Sequence, residues 1–262
     1  MDIGKYKGAV HHANGLFSEV YRAKPPQNAE KSASESSSLL KCVALKVTVP
    51  SVMVPPHNAI REARILQTAK FSNVIPLLET FEQSGGRFIL VFPFVRYDLV
   101  TLLYEENLQP ADIKSCLRDM FRALDHIHDL GIIHRDVKPG NILLDSPSGP
   151  AYLADFGIAW SPEDPASEPR DAKITDVGTT NYRPPELLFG NTAYDASLDM
   201  WAAGCVVAEV ASGCRKHLFD SGDLGSELAL IQSMFKSLGT PNLEVWPVSS
   251  ILPPCTHLTV VH

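Results

Sequence analysis

The chain has 262 residues, 45% of them apolar and 20% charged, with a formal net charge of −7, which is ordinary globular composition rather than that of a disordered or fibrous protein. The negative balance argues against a nucleic-acid binder, whose footprint is basic, and no run of about 18 apolar residues is present to span a membrane. The five cysteines (Cys42, Cys116, Cys205, Cys214 and Cys255) are odd in number and scattered, with no C-x-x-C pair. That pattern argues against a disulfide framework or a zinc site and fits a reducing compartment, cytoplasmic or nuclear. The first ten residues carry no apolar stretch, so no signal peptide is expected.

Along the chain, the first part reads as strands: residues 43–47 (VALKV) and 88–92 (FILVF) are short β-branched or aromatic runs with polar or Gly/Pro flanks. Before them, residues 24–41 are rich in Ser, Glu and Pro and have little to pack, which predicts a disordered loop. A short helix is expected over 57–69. From about residue 98 the pattern turns helical. Ile113, Leu117, Met120, Leu124 and Ile127 fall at alternating four- and three-residue steps, one apolar face of a helix, with Gly131 placed to stop it. A second helix is expected over 198–212, ended by Gly213, and residues 161–171 read as an exposed flexible loop. Strands first and helices second, without alternation, predict an α+β chain of two lobes: residues 1–95 with an antiparallel sheet and one helix, and residues 96–262, mainly helical.

The strongest chemical signal is the run HRDVKPGN at 134–141. Phosphoryl transfer needs a carboxylate that takes the proton of the acceptor hydroxyl and orients the nucleophile, and Asp136 is that candidate. Lys138, two residues on, can neutralise charge on the moving phosphoryl group, and Asn141 offers an amide oxygen to magnesium. The second signal is Asp155-Phe156-Gly157, fourteen residues after Asn141 (155 − 141 = 14) and directly after an apolar run. A carboxylate at a strand end there can hold a magnesium ion that bridges phosphates. Read alone, the first run would be a polar surface loop and D-F-G a chance tripeptide; their order and spacing make the bland reading a poor one.

These runs resemble the catalytic loop and metal-binding motif of the protein kinase family. The resemblance implies ATP and Mg²⁺ as cosubstrate and cofactor, and it assigns further residues. Lys46 matches the strand lysine that touches the α- and β-phosphates, and Glu62 its helix partner; taken singly they would be a solvated lysine and a solvated helix charge. The three glycines of the phosphate-covering loop map to Ala13, Gly15 and Ser18, only one of them glycine, and small residues still let the backbone approach phosphate. Val20, Ala44 and Leu143 fall at adenine-pocket positions. Phe92 is the gatekeeper, Pro93 supplies the hinge carbonyl and Val95 the hinge N–H, so the proline lacks only a donor that is not needed. Asp98 is placed to reach the ribose. Residues 178–186 (GTTNYRPPE) resemble the end of the activation segment, with Pro184 for the usual alanine. Thr179 is expected to bond the catalytic aspartate, while Asp199 and Glu186 take structural roles.

Within the family, residues 59–62 (AIRE), Tyr182-Arg183 and 238–241 (LGTP) with 245–247 (VWP) resemble the cyclin-dependent-kinase-like group, and Lys138 implies serine/threonine specificity. Three departures matter. The inhibitory threonine–tyrosine pair of the group is Leu16 and Phe17 here. The arginine cluster that grips an activation-loop phosphate maps to Arg61, Arg135 and Trp160, so weak dependence on such a phosphate is expected, with Thr175 the best-placed acceptor. Asn181 replaces the tryptophan linked to a proline preference. Together they are similar to fungal-type CDK-activating kinases, which work as single chains; the resemblance implies a protein substrate, another kinase among the candidates, and leaves a cyclin-like partner open. After Trp246 the sequence does not resemble the family's continuing helices, which implies an incomplete helical lobe and a Glu186 without its arginine. The expected function is a serine/threonine protein kinase acting on protein substrates, not on nucleic acid or at a membrane; the alternative is a catalytically impaired, kinase-shaped module that binds nucleotide or protein.

Overall fold

Alternation along the first strand-forming run, residues 43–47, decides what faces what. In the computed structural model, which describes residues 1–26, 42–105, 108–212 and 216–242, that run is a strand, Val43–Thr48 (β3). It lies at the centre of a five-stranded antiparallel sheet with β1 (Val10–Asn14), β2 (Ser18–Ala23), β4 (Glu79–Gln83) and β5 (Arg87–Pro93), in the order β1-β2-β3-β5-β4. Side chains alternate across a strand, so Val43, Leu45 and Val47 enter one core with Ile89, Val91, Tyr21 and Ala23. Ile3, Tyr6 and Ala9 from the N-terminal segment close this core from outside. Ala44 and Lys46 take the opposite face. Lys46 is in register with Val20 on one side and Leu90 on the other, and Ala44 with Phe92.

The helix expected over 57–69 is α1 (Ala59–Thr68), started by the Asn58 side chain, which accepts from the Arg61 N–H. A two-residue strand Tyr97–Asp98 (β6) leads into α2 (Leu99–Glu105), and the long amphipathic helix is α3 (Pro110–Asp129), opened by a reciprocal Gln109–Asp112 capping box with Pro110 at its first position. Gly131 takes φ +72 just beyond its end. A hairpin of β7 (Ile142–Leu144) and β8 (Ala151–Leu153) pairs with β6 as a second sheet. Asp119 of α3 accepts from the Ala151 N–H at 3.2 Å and fastens this sheet to the helix.

Residues 1–134 and 139–167 form one compact unit, and 135–138 with the chain from 168 onward form another. The second unit contains a 3₁₀ turn Thr180–Tyr182, α4 (Pro185–Leu188), α5 (Ser197–Ser212) and α6 (Glu227–Leu238). Helix α5 buries Leu198, Ala202, Val206 and Val210, and α6 buries Leu230, Ile231 and Met234. Of the earlier expectations, Gly213 and most of the loop at 24–41 lie outside the described residues. Residues 161–171 have no regular structure but are not free: both carboxylate oxygens of Asp164 accept from Arg64, at 2.7 and 2.9 Å. Among the described residues, no helix is long and apolar enough to cross a membrane.

Candidate active site

The first unit contains a cavity of about 380 Å³, in the range of small-ligand sites. Its walls follow from the sheet's inner face. Val20, Ala44 and Phe92 line it through strand alternation, Ala13, Gly15 and Ser18 through the β1–β2 turn, Pro93 at the end of β5 and Val95 just beyond it. That turn is tight: the Gly15 N–H donates to the Ser18 carbonyl at 2.7 Å, and a Cβ on Gly15 would meet Ser18 Oγ at 2.6 Å. Leu143 of β7 lines the cavity too. Asp98 does not; its Oδ1 accepts from the Thr101 N–H at 2.6 Å and opens α2 instead.

Lys46 lies among acids. Its Nζ is 2.7 Å and 2.9 Å from the two oxygens of Glu62 and 2.7 Å from Asp155 Oδ1. Burial works to pull the ammonium's pKa down, but the charges of Asp155 and then Glu62 outweigh it and hold Lys46 protonated well above the ordinary lysine range. Asp155 and Asn141 both border the same cavity, and the hairpin explains why. Asn141 immediately precedes β7, Asp155 follows β8 by two residues, and Ile142 pairs with Leu153. The Ala154 N–H donates to the Asn141 carbonyl at 2.9 Å and closes that end of the hairpin. The main chain at Asp155 adopts φ +60, a conformation uncommon outside glycine and enriched at functional sites. One carboxylate and one amide oxygen form the hard donor set that magnesium takes when phosphates supply the remaining ligands. His134, fully buried beneath this end, bonds the Ala154 carbonyl through Nε2 at 2.9 Å and packs edge-on against Phe156.

The second unit holds the remaining residues of the 134–141 run. Asp136 Oδ1 accepts from both the N–H and the hydroxyl of Thr179, at 3.0 and 2.8 Å. Lys138 Nζ is 2.8 Å from Asp136 Oδ2 and donates to Thr179 Oγ1 at 2.8 Å. The three side chains thus form a closed ring in which the threonine hydroxyl donates to the acid and accepts from the lysine. The backbone beneath it is fixed by Asp199, fully buried, whose Oδ1 accepts from the Arg135 N–H at 2.9 Å. Gly178 lies against this loop at φ +75, and a Cβ there would stand 2.6 Å from the Arg135 carbonyl oxygen, so both its conformation and its neighbour require glycine.

Residues 13–259 match the protein kinase domain family. The chain belongs to that family. Its relatives include serine/threonine-protein kinase csk1 of Schizosaccharomyces pombe, 34% identical over 93% of this chain and 76% of that protein. Cyclin-dependent kinase 7 of Xenopus laevis is 40% identical over 75% of the chain and 53% of its own length, and the CTD kinase subunit alpha of S. pombe 37% over 76% and 32%. Among solved structures, the crystal structure of the yeast RNA Pol II CTD kinase CTDK-1 complex superposes with a TM-score of 0.74 at 30% identity, covering 92% of this chain and 75% of that one. The kinase therefore spans about three quarters of csk1 but about a third to a half of the other two relatives. Its fold is that of the family, an antiparallel-sheet N-lobe and a helical C-lobe, and it is a serine/threonine kinase domain of the cyclin-dependent-kinase-like type.

Sequence reading missed several cavity residues of the kinase, among them His12, Asn14, Ile75 and Phe94. His12 and Asn14 share the alternation of β1 with the covering loop, a signal too short to read alone. Phe94 packs edge-on against His12 at 5.0 Å between centroids. Burial pushes the Glu186 carboxyl above the ordinary 4.5. An acid whose folded pKa is raised costs no stability below its unfolded pKa and costs increasingly more as pH rises from there to the folded value. Glu186→Gln is accordingly expected to raise Tm at pH 7, with the gain shrinking as pH falls toward 4.5. Thermal melts of the two proteins across that range measure it.

Proposed function

We propose that this kinase transfers the γ-phosphoryl group of ATP to a serine or threonine hydroxyl of a protein substrate, with Lys46, Glu62, Asn141 and Asp155 holding the nucleotide side and Asp136 and Lys138 the acceptor side. The observation that carries the reading is the Lys46–Glu62–Asp155 cluster on the wall of a nucleotide-sized cavity that Asn141 also borders. Lys46, kept charged by two carboxylates, pairs with the α- and β-phosphates. Val20, Ala44 and Leu143 would enclose the adenine, with Pro93 and Val95 offering their main chain to it. Bound magnesium offsets phosphate charge; Asn141 and Asp155 supply its protein oxygens. Asp136 accepts the hydroxyl proton as the new P–O bond forms and the bond to the β-phosphate oxygen breaks, releasing ADP, and Lys138 faces the charge that develops. In this reading Thr179 keeps the Asp136 carboxylate aimed.

The substrate class is a protein, with a second kinase as one candidate from the sequence resemblance, and the name of the cyclin-dependent kinase relatives supports a cyclin-like subunit as a candidate partner. The scattered cysteines support a cytoplasmic or nuclear setting. Addition of Mg²⁺ with ATP is expected to raise the melting temperature more than either alone, and labelled γ-phosphate is expected to appear on serine or threonine of a generic basic protein. ATP stabilisation without any transfer to serine, threonine or the chain itself refutes the reading.

A further inference from the structure

The arginine beside the proposed base already has a full anion partner. Both terminal nitrogens of Arg135 donate to the Glu168 carboxylate, Nη1 to Oε1 and Nη2 to Oε2, each at 3.0 Å. The Arg135 side chain is completely buried and Glu168 is 15% exposed. Beneath the guanidinium lies the ring of Tyr194, 5.6 Å from it, which also carries the Lys173 ammonium at 5.0 Å. Two cations on one ring leave Glu168 as an anion with a clear electrostatic task, and Lys173 is itself pulled below the ordinary lysine value by burial and by Arg135. Of the other acids on residues 161–176, Glu163 and Asp171 are exposed, Asp164 pairs with Arg64 and Asp176 with Arg183.

This pair acts on the loop that bears Asp136. Arg135 has φ +72, a strained setting for a bulky residue, and it is held at three points: its side chain by Glu168, its N–H by Asp199 and its carbonyl against Gly178. Its covalent neighbour is Asp136. A planar guanidinium fork suits a carboxylate or a phosphate equally well. The hydroxyls that a phosphoryl group could occupy nearby, Ser167 and Thr175, would each have to bring their phosphate to a fork that Glu168 has taken.

We propose that Glu168 is a resident positioning residue: its carboxylate permanently supplies the counter-charge that orders the Arg135–Asp136 loop, so that phosphoryl transfer requires no phosphate on the 161–176 segment. The proposal rests on the phosphotransfer reading above. It specifies the source of order as a side chain encoded in the sequence rather than an added group, which makes this kinase constitutively set on the acceptor side.

The test uses the full chain, dephosphorylated with a phosphatase and verified by intact mass. The dephosphorylated protein is expected to keep kcat within about twofold, whereas Glu168→Gln lowers kcat by about tenfold or more while KM for ATP stays within about twofold, and Glu168→Asp recovers part of the rate. Thr175→Ala and Ser167→Ala leave kcat unchanged. Loss of the rate on phosphatase treatment overturns the proposal, as does a parental kcat in Glu168→Gln. If Glu168→Gln does not fold, the phosphatase arm on the parent decides alone. Hydrogen exchange at the 135–138 amides reads the positioning without any transfer: faster exchange there in Glu168→Gln, with the rest of the chain unaltered, is expected, and unaltered exchange overturns the proposal. A parent that transfers nothing yet shows this local effect condemns the phosphotransfer reading and spares the clamp.

Discussion

Asp136→Asn is expected to lower kcat by roughly 10²–10⁴-fold, the usual worth of a positioned general base, with KM for ATP nearly unchanged. The amide keeps the shape of the carboxylate and can still accept from the Thr179 N–H and hydroxyl that now bond Oδ1 at 3.0 and 2.8 Å. What it loses is the capacity to take a proton and the charge that pairs with Lys138 at 2.8 Å. Because the nucleotide-side residues belong to a separate set of contacts, Mg²⁺–ATP stabilisation should persist. Steady-state kinetics with a peptide acceptor, read beside thermal shift, separate the two effects. A variant that transfers at the parental rate would remove Asp136 from its role.

Lys46→Met is expected to lower kcat by about 10²-fold or more, the typical loss when one charged contact to a developing transition state is deleted. It also has a stability signature that a lost substrate contact alone would not give. The lysine is the cation between two acids, and Glu62 beside it is only 1% exposed. Without Lys46, the burial that already pushes the Glu62 carboxyl upward is no longer opposed by the lysine's attraction. The sign then follows: a carboxyl whose folded pKa exceeds its unfolded value costs nothing below the unfolded value, and its cost grows as pH rises from there to the folded value. Lys46→Met should therefore melt progressively further below the parent as pH rises above the ordinary carboxylate range. The double variant Lys46→Met with Glu62→Gln should erase that pH dependence while leaving the activity lost. Melting curves across that range, with single-turnover phosphoryl transfer, check both halves.

The sequence was most legible where chemistry and period coincide. Lys46 lies in an alternating strand whose face assignment could be counted, and Asp155 follows an apolar run that ends as a strand. Asp199, given a structural role, accepts from the Arg135 N–H. The apolar steps from Ile113 to Ile127 gave α3 nearly to its ends, because a long amphipathic stripe is a strong periodic signal. Strands of two or three residues such as β6, β7 and β8 carry too few positions for a period, and β1 is wholly exposed, so its side chains show no apolar alternation. Helix α6 was not foreseen, although Ser226 caps it through its hydroxyl. Glu168 was invisible for another reason. Its segment is rich in proline and acid, so it reads as solvated, and nothing local distinguishes a carboxylate that will meet Arg135, 33 residues earlier, from those that stay in water.

The hairpin that delivers Asn141 and Asp155 has two unequal ends. At one, a single backbone bond ties the two positions together; at the other, residues 145–150 merely return the chain. Evolution, or an engineer, can lengthen the returning end without disturbing the pair, since extra residues there add only the slow cost of a larger loop. One residue gained or lost inside either three-residue strand would instead swap inward and outward side chains and carry one oxygen ligand away from the other. Variation in length among descendants of this chain should therefore gather between 145 and 150 and be absent from 142–144 and 151–153.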